Sequence, residues 1–273
     1  MMPRCNFHTH TSFCDGKHTP EQMVCSAIEL GCTALGFTGH SYIDEYQTDD
    51  WTMSKSGQLE YIEEIKRLKD IYSDKIEILL GIEQDYYSGA PEYPFDYVIG
   101  SVHAVKKDGV RIDVDLTPEA LFGYVNKLYD GNILALVEDY YALVADVVEA
   151  TRCDIIGHVD LITKFNEKNP FIDTYSKEYR TLALDAVDAL ICKDKIFEIN
   201  TGAISRGWRN SPYPENFILK RLAEKNARIM LNSDCHDKDA ILCGFDAALE
   251  YAKECGVREL CVFKNGKIDN IAI

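Results

Sequence analysis

A chain of 273 residues with 46% hydrophobic and 11% aromatic side chains and only 8 prolines buries enough apolar surface to offset the entropy of ordering it, which excludes intrinsic disorder. Asp and Glu outnumber Lys and Arg 45 to 29, a formal charge of −16, so the surface repels phosphate backbones and no nucleic-acid partner is expected. No apolar run reaches membrane-spanning length and the N-terminus lacks an apolar signal core, so no membrane association and a cytoplasmic setting are expected.

The 10 cysteines are scattered, with none in a Cys-x-x-Cys pair, and read as reduced, mostly buried thiols. No linker, repeat or low-complexity stretch divides the chain, so a single domain over 1–273 is expected. In chain order, a short apolar run at 5–7 reads as a first strand. Thr19-Pro20-Glu21-Gln22 then opens a helix, with an N-cap, a first-turn proline and a glutamine at the capping-box position. A second strand is expected at 33–37, and Leu59, Ile62, Ile65, Leu68 and Tyr72 follow helical spacing. Strands at 76–82 and 97–102 precede a helix opened by Thr117-Pro118-Glu119. Helices around 138–150, 174–192, 215–226 and 239–254 then alternate with strands at 154–156, 196–199 and 228–231. Such alternation predicts parallel strands joined by crossover helices, and a (β/α) barrel of seven strands is the natural solution.

The chemistry gathers at the ends of these runs. His8 and His10 end the first, His40 the second, Glu83 the third, His103 the fourth, His158 the fifth, and Asp234 with His236 the seventh. In a barrel of parallel strands all C-terminal ends meet at one face. Residues i and i+2 of an extended chain point the same way, so His8 with His10, and Asp234 with His236, each aim two side chains into one cleft. Any one of these histidines alone would read as a surface or core residue. Glu83 and Asp234 decide the matter, because a carboxylate after an apolar run is costly to desolvate unless a cation meets it. Imidazoles and carboxylates without a thiolate cluster suit Zn, Mn or Fe. His18 beside the Thr19 cap reads as a surface residue, and Cys14 and Cys235 as structural.

The residues His8-Thr9-His10, Asp15-Gly16, Thr38-Gly39-His40, Gly81-Ile82-Glu83, Gly100-Ser101-Val102-His103, Gly157-His158-Val159-Asp160 and Asn232-Ser233-Asp234-Cys235-His236 resemble the motifs of the PHP (polymerase and histidinol phosphatase) superfamily. Within it, Phe13-Cys14-Asp15-Gly16 and Gly100-Ser101-Val102-His103 are similar to those of the monofunctional histidinol-phosphate phosphatases. The resemblance spans residues 8–236. It implies a distorted (β/α)7 TIM-like barrel holding three divalent metal ions. Carried over by position, it implies a first ion held by His8, His10, Glu83 and Asp234, and a second by Glu83 as bridge with His103 and His158. A third would take Asp15, His40 and His236. Gly39 stands where relatives often carry an acidic residue, which leaves the ligand His40 intact but alters its hydrogen bonding.

The implied reaction is hydrolysis of L-histidinol phosphate to L-histidinol and phosphate by metal-activated water, a step of histidine biosynthesis. Divalent ions outweigh three carboxylates in charge, so an acidic protein can still take a small phosphomonoester. Asp160, two residues past His158, is a candidate proton donor to the leaving alcohol, with a helix cap or a barrel-mouth orienter as the alternative. Arg206, after glycine-bearing Asn200-Thr201-Gly202-Ala203-Ile204-Ser205, and Lys164 are phosphate candidates, with Lys17 and Arg209 behind them. Tyr42, Asp44 and Glu45 are candidates for the cationic end of the substrate, and Tyr140-Tyr141 for a wall, against the plainer reading of polar loop and packed core. Two rivals stand beside this reading: a PHP phosphoesterase acting on a nucleotide bisphosphate or oligonucleotide end, and a non-catalytic metal-binding module. The first requires a basic groove, and the second missing ligands.

Overall fold

A computed structural model describes residues 4–44 and 51–273. Seven parallel strands form one sheet in the order β1 (Cys5–Asn6), β2 (Ala34–Phe37), β3 (Glu77–Asp85), β4 (Tyr97–Ser101), β7 (Ile155–Ile156), β8 (Ile196–Asn200) and β9 (Arg228–Asn232). The sheet curls until its ends meet: Thr9 and Cys235 form a parallel bridge, in which the backbone N–H of His10 donates to Cys235 O at 2.9 Å. The result is the expected seven-stranded barrel, with strand order following chain order.

The crossover helices form where capping chemistry starts them. Helix α1 (Pro20–Glu29) carries both halves of the capping box: Thr19 Oγ1 accepts from Gln22 N, and Gln22 Oε1 from Thr19 N. Helix α3 (Pro118–Leu128) has the Thr117 N-cap alone: Thr117 Oγ1 accepts from Ala120 N, and Ala120 at the third position has no polar side chain to return the bond. Between them lies α2 (Lys55–Ile71), and after them come α4 (Ile133–Thr151), α5 (Lys177–Ile191), the short α6 (Gly202–Ser205), α7 (Asn216–Glu224) and α8 (Phe245–Glu254). Helix α4 begins before the expected residue 138, and α8 begins only after Gly244, whose φ of 75° breaks a helix expected from residue 239.

Because side chains alternate across a strand, the barrel has two cores. One lies between strands and helices, around residues such as Leu35, Phe37, Ile65, Val144 and Leu222. The other fills the barrel interior with Phe7, Leu79, Tyr97, Ile99, Ile155, Ile196 and Met230, closed below by Cys261 and Phe263. Tyr97 spans this interior and donates from its hydroxyl to Phe7 O at 2.6 Å. Gly36 and Gly81 make the room; a Cβ at Gly81 would lie 2.6 Å from Tyr97 Cζ.

Two antiparallel hairpins fall outside the sequence expectation. The first, β5 (Ala104–Lys107) with β6 (Val110–Asp113), rises directly from His103. The second, β10 (Glu259–Lys264) with β11 (Lys267–Ala272), supplies Phe263 to the barrel floor. Their turns are Asp108-Gly109 and Asn265-Gly266, all four residues at positive φ, the backbone twist that two-residue hairpins favour.

Candidate metal centre

The strand ends deliver their side chains to one cleft. His8 and His10 follow β1, His40 follows β2 and bridges to Glu83 of β3, His103 follows β4, His158 follows β7, and Asp234 and His236 follow β9. All of these except His236 are buried, and Asp15 joins them from the turn at 12–15 that follows His10.

Glu83 stands at the centre. Its Oε2 lies 3.4 Å from His8 Nε2, 3.4 Å from His10 Nε2 and 2.8 Å from His40 Nδ1; its Oε1 lies 3.0 Å from His158 Nε2 and 3.4 Å from His103 Nε2. Asp234 Oδ1 is 3.2 Å from His10 Nε2 and 3.6 Å from His8 Nε2, and Asp15 Oδ2 is 3.1 Å from His236 Nε2. Burial alone would push the Glu83 carboxyl up, but the His40, His8 and His103 imidazoles outweigh it and hold it well below the ordinary range. Burial likewise opposes ionisation of Asp234, and Arg206 and His8 overcome it. Burial and the neighbouring His236 and His40 push His10 down to about 3, so His10 is a neutral base at physiological pH.

This donor set fits divalent metal ions. His8 Nε2, His10 Nε2 and Glu83 Oε2 are buried without a hydrogen-bond partner. His40 Nδ1 lies 2.8 Å from Glu83 Oε2, close enough for both atoms to face a common cation. Three groups have ligand atoms mutually within 4.8 Å: His10, Asp15, His40 and His236; His8, His10 and Asp234; and His40, Glu83 and His103. The implied partition overlaps these groups but differs from them at four residues: His10 and His40 each serve two groups, Glu83 falls in one group instead of two, and His158 falls in none. Stacked His10 and His236 rings, with centroids 4.0 Å apart, cannot both be cationic without strong repulsion. Neutral nitrogen lone pairs facing a cation resolve that crowding.

Further groups orient the ligands. Glu198 Oε1 lies 2.7 Å from His8 Nδ1, Asp85 Oδ2 lies 3.0 Å from His103 Nδ1, and Ser101 Oγ donates to Glu83 Oε1 at 2.6 Å. Ser101 belongs to the motif Gly100-Ser101-Val102-His103, whereas Glu198 and Asp85 lie outside every motif named above. Signals existed: Glu198 is a lone carboxylate inside the apolar run Ile196-Phe197-Glu198-Ile199, and Asp85 shares the face of Glu83 at i+2. Gly39 is closely packed: a Cβ there would lie 3.2 Å from Met53 Cε and 3.5 Å from Cys14 Sγ, so a larger residue requires the Met53 side chain to shift.

The centre opens into a cavity of about 1200 Å³, whose lining includes Trp51, Asp115, Lys164, Arg206, Trp208 and Asp237. Arg206 and Lys164 therefore face the cleft, but each is engaged. Arg206 Nη2 lies 3.0 Å from Asp234 Oδ2, and Nη1 donates to Asp234 O at 3.1 Å; Lys164 Nζ donates to Asp115 Oδ2 at 3.0 Å. Lys17 lines the cavity and pairs with Asp237.

Other sequence candidates are corrected. Asp160 does not line the cavity: it is fully buried, its Oδ2 accepts from Glu215 N at 2.8 Å, and burial pushes its carboxyl up to about 6. Its position gives no support to a role as proton donor to substrate. Arg209 is buried behind the cleft, bonded to Thr163 and Glu215. Tyr140 and Tyr141 are core residues, the former donating to Val159 O and the latter sharing a hydrogen bond with Tyr179. Tyr42 donates to Asp44, neither lines the cavity, and Glu45 lies outside the described residues. His18 accepts from Lys238 N at the surface. Cys235 is buried against Asn6 and Thr9 as expected. Cys14, read as structural, has its Sγ 3.5 Å from His10 Nδ1 and donates to Thr11 O.

The model of the PHP domain matches residues 6–202, more than half of the chain. The chain belongs to the PHP domain family. A protein named probable histidinol-phosphatase in Schizosaccharomyces pombe is 29% identical over 96% of this chain and 90% of its own length. The histidinol-phosphatase of Lactococcus lactis is 28% identical over 98% of this chain and 97% of its own length. A crystal structure of the histidinol phosphate phosphatase from Lactococcus lactis, complexed with Zn, L-histidinol and phosphate, has the same PHP fold. It superposes with a TM-score of 0.73 at 24% identity, covering 98% of this chain and 100% of that one.

Proposed function

We propose that this PHP-family protein hydrolyses L-histidinol phosphate with water to L-histidinol and phosphate, within histidine biosynthesis. The observation that carries the reading is the convergence of five imidazoles on Glu83, with Asp234 facing two of them and Arg206 and Lys164 on the same cleft. The full-length relatives named histidinol-phosphatase support the choice of substrate. We assign the holding of three divalent ions, Zn, Mn or Fe, to His8, His10, Asp15, His40, Glu83, His103, His158, Asp234 and His236. When bound, such ions supply Lewis acidity toward phosphate oxygens and lower the pKa of water to roughly 7.

The chain's own residues do the rest. Arg206 and Lys164 meet the phosphate as cations in a partly enclosed site, where charge acts more strongly than in open water. Asp234 and Asp115 hold them in place, so the clamp is ordered before substrate arrives. Trp51, Asp113, Asp237 and Asp239 also line the cavity and offer aromatic and acidic groups to the ammonium and imidazole of the substrate. The cysteines form no disulfide among the described residues, which suits a reducing cytoplasmic setting, and no helix of the described residues is long and apolar enough to cross a membrane.

The test is phosphate release by purified protein loaded in turn with Zn, Mn and Fe, from L-histidinol phosphate, a nucleoside 3′,5′-bisphosphate and a short oligonucleotide. A kcat/KM for L-histidinol phosphate at least about a hundredfold above the others is expected. Preference for either nucleotide substrate would overturn the assignment.

A further inference from the structure

Glu198 is fully buried in the middle of β8 and has four hydrogen-bond partners on different parts of the barrel. Its Oε1 lies 2.7 Å from His8 Nδ1 and accepts from Asn232 Nδ2 at 3.0 Å; its Oε2 accepts from His158 N at 3.1 Å and from Asn200 Nδ2 at 2.9 Å. Three of these partners can only donate. The His158 group is a backbone N–H. The asparagine amides cannot be turned, because Asn200 Oδ1 accepts from Gly202 N at 2.8 Å and Asn232 Oδ1 accepts from Phe7 N at 2.9 Å. Turning either would set an NH2 against a backbone N–H.

Three fixed donors on one carboxyl favour its acceptor-only, ionised form, and His8 Nδ1 then completes the set by donating the fourth hydrogen bond. A neutral imidazole has one N–H. With the proton on Nδ1, Nε2 is a bare lone pair, and Nε2 is the buried, partnerless atom that faces Glu83 and Asp234. We propose that Glu198 is a positioning residue that fixes the His8 tautomer, presents His8 Nε2 to the metal centre, and ties the His8 and His158 strand ends together. This inference rests on the metal-binding reading above.

Glutamine is not a neutral replacement here. In either orientation its NH2 would face two of the four donors, so Glu198→Gln loses the tautomer lock while keeping the shape. The experiment measures divalent-ion affinities of the full chain by competition with a chelator, with far-UV circular dichroism to monitor folding. Glu198→Gln is expected to weaken the most affected ion ten- to a hundredfold with helix content retained. Unchanged affinity in Glu198→Gln would overturn the proposal. Should that variant not fold, long-range proton–nitrogen NMR of the Zn-loaded wild-type chain decides: a proton on His8 Nδ1 is expected, and one on Nε2 overturns it. A wild-type chain that takes up no divalent ion would instead overturn the metal-binding reading.

Discussion

Glu83 has carboxylate oxygens facing imidazoles from four separate strand ends, so its neighbours matter as a set more than singly. Removing one ligand leaves the others buried and uncompensated. His103→Ala or Asp234→Asn should therefore lower turnover by roughly a thousandfold or more and reduce bound metal, while helix content stays near wild type. Near-normal turnover in either variant would contradict the assignment. Arg206 carries a double duty, toward phosphate and toward Asp234, so Arg206→Ala should raise KM and also weaken metal retention; a change in neither would remove it from the site. Asp160 belongs to the fold, and its raised pKa sets a sign. A carboxyl that titrates near 6 in the folded chain and near 3.9 unfolded costs stability at neutral pH, and the cost fades as pH falls through 6 toward 4. Asp160→Asn should thus be more stable than wild type at pH 7 by roughly 1–3 kcal/mol, with the gap closing by about pH 4 in chemical denaturation. A gap that widens as pH falls would contradict the sign.

At the scale of elements, the barrel interior is built around one long side chain. Tyr97 reaches across beneath the site because β2 and β3 carry Gly36 and Gly81 opposite it. Gly81→Ala should cost about 1–3 kcal/mol through overpacking, read as a lower denaturation midpoint with an unchanged slope; wild-type stability would mean that Tyr97 has room to move. The seven strands were legible because each is an apolar run between well-marked helix starts, with Thr19 and Thr117 the clearest. The hairpins were legible in their turns, Asp108-Gly109 and Asn265-Gly266, but not in their strands. Exposed β11 has no apolar alternation strong enough to mark it, and β5 begins one residue after a ligand whose chemistry drew the eye.

Across the whole molecule, chain order and strand order coincide, which is why ligands 228 residues apart in sequence, His8 and His236, meet at one end of the barrel. That convergence was readable from residue type and position at the strand ends. The supporting network was not: that Arg206 grips Asp234, or that four donors meet on Glu198, depends on side-chain packing that no spacing encodes. An ion bound only by the folded chain stabilises it by mass action. Chelation should lower the melting temperature, and adding back Zn, Mn or Fe should restore it in a concentration-dependent way. A melting temperature indifferent to chelator would mean that the cluster is a structural polar network and not a metal centre.

The most direct measurement is anomalous diffraction from crystals of the metal-loaded chain soaked with L-histidinol and phosphate. Three metal peaks enclosed by the nine assigned His, Asp and Glu side chains, with Glu83 shared between two of them and phosphate within reach of Arg206, is the expected result. An absence of metal around Glu83, or phosphate bound away from this cleft, would contradict the proposed centre and the reaction assigned to it.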